Sequence, residues 1–264
     1  MTMTSPILVT GGTGTLGRHV VRRLRDAGCD VRVLSRRSHE SEDGIQFMTG
    51  DLATGEGIEA AVDWIETIGH CAGSAKGDED KARNLVRAAS RAGARHLVYI
   101  SVVGAERIPV VSGVDRAMFG YFASKREAEK VVEDSGLPWT TLRATQFHDL
   151  ILTVARQMGK LPVIPVPAGF RFQPVDAGEV AARLVELSLG KPSGLVPDIA
   201  GPCVYGMNEL VRSYLRASKR RRRPIVPVWL PGKAAGAFRA GGNLAPEQAV
   251  GHRTWEEFLA ERVS

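Results

Sequence analysis

Eleven consecutive residues constrain this chain more than any others: Ile7-Leu8-Val9-Thr10-Gly11-Gly12-Thr13-Gly14-Thr15-Leu16-Gly17. A short strand-forming run breaks directly into a glycine loop. Beyond the loop, Leu16, Val20, Val21 and Leu24 recur at helical spacing, so a helix opens where the glycines end. Strand, tight turn and helix N-terminus in that order make a cradle for an anion, because backbone N–H groups and the positive end of the helix dipole converge there. Gly11 allows the sharp turn, Gly14 lets backbone approach phosphate, and Gly17 lets the helix pack against its strand. Glycine-rich turns are common; the flanking strand and helix make this one a site for a dinucleotide pyrophosphate.

The alternation continues down the chain. Strands are read at residues 7–10, 31–34, 45–49, 65–71, 96–101 and 140–143, and helices at 16–27, 57–62, 80–92, 124–134, 148–158 and 177–189. This rhythm predicts an α/β fold, a Rossmann-type doubly wound parallel sheet. After Arg143 it loosens. The prolines in Leu161-Pro162-Val163-Ile164-Pro165-Val166-Pro167 rule out a central strand or a helix there. The expected division is a Rossmann core at 1–146, rejoined by 174–200, and a smaller, largely C-terminal substrate-binding portion at 147–173 and 201–264.

A chain of 264 residues can bury a full core. Its hydrophobic content of 44% and charged content of 24% describe a soluble globular protein. No apolar run is long enough to span a bilayer and no signal peptide is read, so the expected location is cytoplasmic with no membrane partner. Cys29, Cys71 and Cys203 are scattered, odd in number and without metal spacing, which fits a reducing compartment and no metal site. The net charge of +6 suits a protein that binds anionic cofactors. The run Lys219-Arg220-Arg221-Arg222-Arg223 follows a helical segment at 208–217 and is read as its cation-rich end, stopped by Pro224. A nucleic-acid patch is the disfavoured alternative, since no aromatic residue is interleaved.

The chemistry lies in the loops after the strands. The second strand ends Leu34-Ser35-Arg36-Arg37-Ser38. No carboxylate is there to grip a ribose 2′-hydroxyl. Guanidiniums and hydroxyls suit a 2′-phosphate instead, which favours NADP(H), with NAD(H) the lesser alternative. Either arginine could equally be solvated surface. Asp51, in Gly50-Asp51-Leu52, can accept the adenine amino group or cap the following turn. In His70-Cys71-Ala72-Gly73, the small residues leave room for adenosine, and Cys71 and His70 read as packing. Tyr121 and Lys125, in Tyr121-Phe122-Ala123-Ser124-Lys125, share a helical face. An ammonium near a phenol favours the phenolate, so Tyr121 reads as a proton donor and Lys125 as its tuner.

Taken together the segments TGGTGTLG, GDL, HCAG, YISVVGA and YFASK, followed by Thr141-Leu142-Arg143-Ala144-Thr145, resemble those of a short-chain dehydrogenase/reductase in content and order. Phe172-Gln173-Pro174-Val175-Asp176 and Thr254-Trp255-Glu256-Glu257-Phe258-Leu259 fit the atypical NmrA-like branch, which is similar to NADPH-dependent quinone reductases. The resemblance implies that Gly11, Thr13, Gly14, Thr15 and Leu16 hold pyrophosphate, Arg36 the adenosine phosphate, and Asp51 with Leu52 the adenine. It implies further that Ala72 and Gly73 line the cofactor, and that Ser101 and Lys125 sit at the nicotinamide ribose.

The chain departs from that pattern after the fifth strand. Family enzymes place a Ser or Thr just past it, whereas this chain reads Ile100-Ser101-Val102-Val103-Gly104, and Ser112 reads as part of a loop. His148, after the sixth strand, reads either as a general acid or as packing. Phe119, Phe122, Phe147 and Phe170 read as core or as an aromatic pocket. The expected activity is NADPH-dependent hydride delivery to a carbonyl or quinone of a small, aromatic or polyketide-like molecule, in secondary metabolism. A non-catalytic redox-sensing regulator acting through a protein partner is the alternative. The sequence leaves open a homodimer.

Overall fold

The computed structural model describes residues 5–41, 44–74, 77–219 and 223–263. In chain order the elements are β1 (Ile7–Thr10), α1 (Gly17–Asp26), β2 (Val31–Ser35), β3 (Ile45–Thr49), α2 (Ile58–Val62), β4 (Thr67–His70), α3 (Asp78–Ala92), β5 (His96–Val102), α4 (Gly113–Glu133), β6 (Trp139–Ala144), α5 (His148–Met158), β7 (Ile164–Pro167), β8 (Arg171–Phe172) and α6 (Ala177–Leu189). There follow β9 (Gly194–Leu195), β10 (Tyr205–Gly206), α7 (Met207–Ala217), β11 (Ile225–Val228), α8 (Lys233–Arg239) and α9 (Trp255–Arg262).

Seven strands form one sheet in the order β3-β2-β1-β4-β5-β6-β9. The pairs β2–β3, β1–β2, β1–β4, β4–β5 and β6–β9 are parallel, so the predicted α/β, Rossmann-type fold is the one observed. The chain runs outward from β1 through β2 to β3, then returns to lay β4 on the other side of β1. Ligands of open α/β sheets bind at this reversal, beyond the carboxyl ends of the strands.

The chain divides into two compact units. The first comprises Met1–Ser101, Ser124–Leu142 and Gly178–Val196. Its core includes Leu8, Ile68, Leu85, Leu97, Tyr99 and Val132, all under 2% exposed, gathered from β1, β4, α3, β5 and α4. The second comprises Val102–Ala123, Arg143–Ala177 and Pro197–Ser264, so residues 102–123 fall in it. One of its clusters joins Ile151 and Leu152 to Tyr214, Trp255 and Phe258, and the buried indole of Trp255 donates to Leu210 O at 3.2 Å.

One helix start differs widely from the sequence reading. Helix α4 begins eleven residues before Ser124, at Gly113. Ser112 starts it: the Asp115 N–H donates to Ser112 Oγ (3.0 Å), and the Ser112 N–H donates to the Asp115 carboxylate (3.1 Å). This reciprocal cap outweighs the poor helix propensity of Gly113 and Gly120. Ser112 is therefore a helix cap, not a loop residue.

The proline-rich stretch forms no central strand: β7 is an edge strand, paired in parallel with β11 in a two-stranded sheet. Ile164 N–H donates to Pro224 O and Ala168 N–H to Val228 O, both at 2.9 Å. Pro165 and Pro167 fall between these donors, on the side where a missing N–H breaks no bond of the pair. In the basic run, α7 ends at Ala217 and Lys219 adopts φ 51°; Arg220, Arg221 and Arg222 lie outside the described residues.

Candidate active site

The glycine loop is held open by its neighbours. Gly11 has φ +69°, and a Cβ there would lie 2.6 Å from Ala72 N. A Cβ on Gly17 would lie 2.1 Å from Gly11 O. The Gly14 N–H donates to Gly11 O at 2.9 Å and closes the turn. Thr13 and Gly14 are exposed, Thr15 is half-buried, and Leu16 is buried at the entrance of α1. No side chain caps α1 and no acidic residue occupies its first turn, so its positive end is left for an anion. Thr10 ties the loop to β4: its Oγ1 lies 2.7 Å from His70 Nδ1 and accepts the Ala72 N–H at 3.4 Å. Ala72 and Gly73 thus face the loop across the topological reversal.

On the adenosine side, Arg36 and Arg37 are exposed and Ser35 is buried. The Ser35 hydroxyl accepts the Arg37 N–H at 3.2 Å, so it shapes the loop that presents the arginines. Asp51 accepts the Ala53 N–H at 2.9 Å through Oδ1, which is the turn-capping role. Leu52 packs in the core, and its carbonyl accepts from Asn84 Nδ2 at 2.9 Å. Beside the loop, a groove of about 480 Å³ is lined by Gly12, Thr13, Arg18, Arg22, Val33 and Phe47 among others. Arg18 and Arg22 were not singled out from sequence, where only the apolar positions of α1 entered the reading.

Lys125 is a buried charge, only 4% exposed. Its Nζ lies 3.2 Å from Asp78 Oδ2, donates to Ile100 O at 3.1 Å, and stands 4.9 Å from the Tyr99 ring centroid. Asp78, the first residue of α3, is itself 1% exposed. Burial alone would raise its pKa. The charge of Lys125, the Ser74 N–H at 2.8 Å and Lys81 at 3.1 Å outweigh that and hold the carboxylate below its ordinary range. Sequence reasoning missed Asp78, because the helix was read as starting at Asp80, which left Asp78 outside it, whereas α3 starts at Asp78. Gly73 lies against this pair, with a Cβ there 3.2 Å from Lys125 Nζ. Ser101, on the same strand as Ile100, is buried and its Oγ has no hydrogen-bond partner among the described residues.

Tyr121 is 38% exposed, one helical turn before Lys125 on α4, and packs edge-on against Phe122. Val103, beyond the end of β5, is fully buried. His148 is a correction. It is fully buried, stacked at ring-centroid distances of 5.9 Å from Trp255 and 5.0 Å from Phe258, with Nε2 3.1 Å from Arg253 O. Enclosed in that stack it is a packing residue, not a proton donor at a pocket mouth. Phe119, Phe122 and Phe170 likewise lie in the core of the second unit, each 4.7–6.0 Å from Phe238 or one another. Phe147 is half-buried at the start of α5.

A parallel sheet reversing beside a glycine cradle, with an uncapped helix end aimed into it, defines a dinucleotide-binding α/β protein. The cradle that a Cβ would fill, and the buried Ser101 hydroxyl with no hydrogen-bond partner among the described residues, fit such a ligand. Residues 11–164 match the NAD(P)H-binding family, and the chain belongs to it. Its cofactor is therefore NAD(P)H, and the resemblance to atypical short-chain dehydrogenases/reductases is borne out. The chain is 33% identical over 201 residues to (4-alkanoyl-5-oxo-2,5-dihydrofuran-3-yl)methyl phosphate reductase of Streptomyces griseus subsp. griseus, covering 74% of this chain and 68% of that one. It is 27% identical over 191 residues to NAD(P)H azoreductase of Xenophilus azovorans, covering 70% and 64%. The NADPH-dependent quinone oxidoreductase of Escherichia coli, solved with NADPH, superposes with a TM-score of 0.81 at 19% identity, over 98% of this chain and 100% of that one, and shares the fold. Among the described residues no helix is long and apolar enough to cross a membrane.

Proposed function

We propose that this protein is an NADPH-dependent reductase acting on a carbonyl or quinone of a small, aromatic or polyketide-like molecule. The observation that carries the reading is the buried Lys125 ammonium, set one turn after Tyr121 and against Gly73 of the cofactor cradle. The two curated relatives named above are both reductases, which supports the reaction class.

In this reading Gly11, Thr13, Gly14, Thr15 and Leu16 hold the pyrophosphate, and Arg36 with Arg37 takes the 2′-phosphate. Asp51, Leu52 and Ala72 border the adenosine; Gly73, Ser101 and Lys125 hold the nicotinamide ribose. When bound, the cofactor supplies a hydride. Tyr121 donates its phenolic proton to the substrate oxygen as the carbon is reduced, and water restores the phenol. The second unit is assigned to substrate binding.

A non-catalytic redox sensor acting through a protein partner is the second reading, favoured by Val103 where family enzymes carry a hydroxyl. NADPH oxidation against a panel of quinones and aromatic ketones, with parallel NADPH and NADH titrations, separates them. Turnover that Tyr121→Phe abolishes, with NADPH affinity retained, is the expected result. Tight binding with no turnover across the panel favours the sensor.

A further inference from the structure

We infer that Asp78 is a positioning residue for Lys125, fixing the ammonium where it meets the nicotinamide half of the cofactor. The inference rests on the proposed role of Lys125 at the nicotinamide ribose. Four features of the first unit lead to it.

The pairing is buried at both ends, with Lys125 4% and Asp78 1% exposed. A flexible lysine in such a place needs a counter-charge, because desolvation penalises an unpaired ammonium. The two oxygens of Asp78 are divided. Oδ1 accepts the Ser74 N–H (2.8 Å) and faces Lys81 (3.1 Å), while Oδ2 faces Lys125 (3.2 Å). The carboxylate is thus held from behind. Its backbone is also tied to α4, since the Asp78 N–H donates to the hydroxyl of Ser124, the residue before Lys125 (3.1 Å). Finally, Ile100 O and the Tyr99 ring meet the ammonium as well, and together with Oδ2 they fix its place. A lysine in solvent samples many rotamers; this one is already ordered, so cofactor binding does not bear that entropy cost.

The test uses two ligands, NADPH and adenosine 2′,5′-bisphosphate, which carries the adenosine and phosphate groups but no nicotinamide ribose. Asp78→Asn is expected to weaken NADPH roughly tenfold, the scale of a lost charge-assisted contact, while bisphosphate affinity stays within about twofold. Lys125→Met gives the same selective loss, and the double variant binds NADPH as Lys125→Met does, because Asp78 acts through Lys125. Equal weakening of both ligands by Asp78→Asn overturns the inference in favour of a structural role. So does an unchanged NADPH affinity in Asp78→Asn where Lys125→Met weakens it; the role of Lys125 then stands without Asp78. If Lys125→Met leaves both affinities unchanged, the reading of Lys125 itself fails and the inference falls with it. Should Asp78→Asn not fold, Asp78→Glu keeps the charge on an arm one methylene longer. Selective loss of NADPH affinity in that variant supports the inference, and an unchanged ratio overturns it.

Discussion

The imidazole of His70 and the hydroxyl of Thr10 meet at 2.7 Å, Nδ1 to Oγ1, across the parallel pair β1–β4, with the ring stacked 5.3 Å from Tyr99. The contact ties the tip of β1 to the tip of β4 just where the chain turns into the glycine loop. It also encloses a titratable ring. Burial, and then the nearby charge of Lys125, pull the His70 pKa from 6.5 down to about 3.

A pH dependence of stability follows. The folded chain keeps His70 neutral down to about pH 3, whereas the unfolded chain protonates it near 6.5. The stabilisation is complete above 6.5 and is lost as pH falls from 6.5 towards 3. The slope from this one group reaches ~1.4 kcal/mol per pH unit. Denaturant melts across that window should show a shallower decline for His70→Gln than for the natural chain. An unchanged slope would mean that His70 is accessible to protons in the fold.

Gly17→Ala and Gly14→Ala should separate folding from binding. A Cβ on Gly17 would strike Gly11 O at 2.1 Å, whereas one on Gly14 meets Gly11 O at 3.2 Å and no other atom within 4 Å. Gly17→Ala is expected to cost roughly 2–4 kcal/mol of stability. Gly14→Ala should change stability by less than about 1 kcal/mol and still weaken NADPH, because the methyl stands in the cradle. Thermal melts and cofactor titrations of both variants check this.

The cysteines should differ sharply in reactivity. Cys203 is exposed, while burial pushes the Cys71 thiol up to about 12 against the opposing pull of Lys125. At pH 8 that leaves the half-buried Cys71 almost wholly in its unreactive thiol form. Brief alkylation followed by peptide mapping should therefore place adducts on Cys203 and leave Cys71 unmodified until the chain is unfolded.

Cofactor preference should rest on Arg36. Its exposed guanidinium follows the buried Ser35 at the end of β2. Arg36→Ala should lower the ratio of NADPH to NADH affinity roughly tenfold, with NADH binding little changed, since only NADPH carries the 2′-phosphate. Equal losses for both cofactors would place Arg36 elsewhere in the site.

The sheet was legible because period and punctuation agree: Ile7–Thr10 and Ile45–Thr49 are the strands read from sequence, and His148–Met158 and Ala177–Leu189 the helices. The start of α4 was hidden by Gly113 and Gly120, although Ser112 and Asp115 carry the spacing of a cap. The burial of His148 was hidden because its stacking partners, Trp255 and Phe258, lie a hundred residues away in sequence. Asp78 was hidden for a related reason. A carboxylate just before the expected helix start looks the same whether it faces water or a buried lysine on a helix more than forty residues on.

The prolines of β7 have a consequence beyond the pairing they permit. Residues 165 and 167 lack N–H groups on the side turned away from β11, so that margin offers carbonyl oxygens and no donor opposite them. A further strand laid along it would find only half of its ladder. Val163 and Val226, both nearly half exposed at this small sheet, are the kind of apolar residue that invites such an addition. Replacing Pro165 and Pro167 with valine would restore the donors, and with them an edge able to accept a full further ladder.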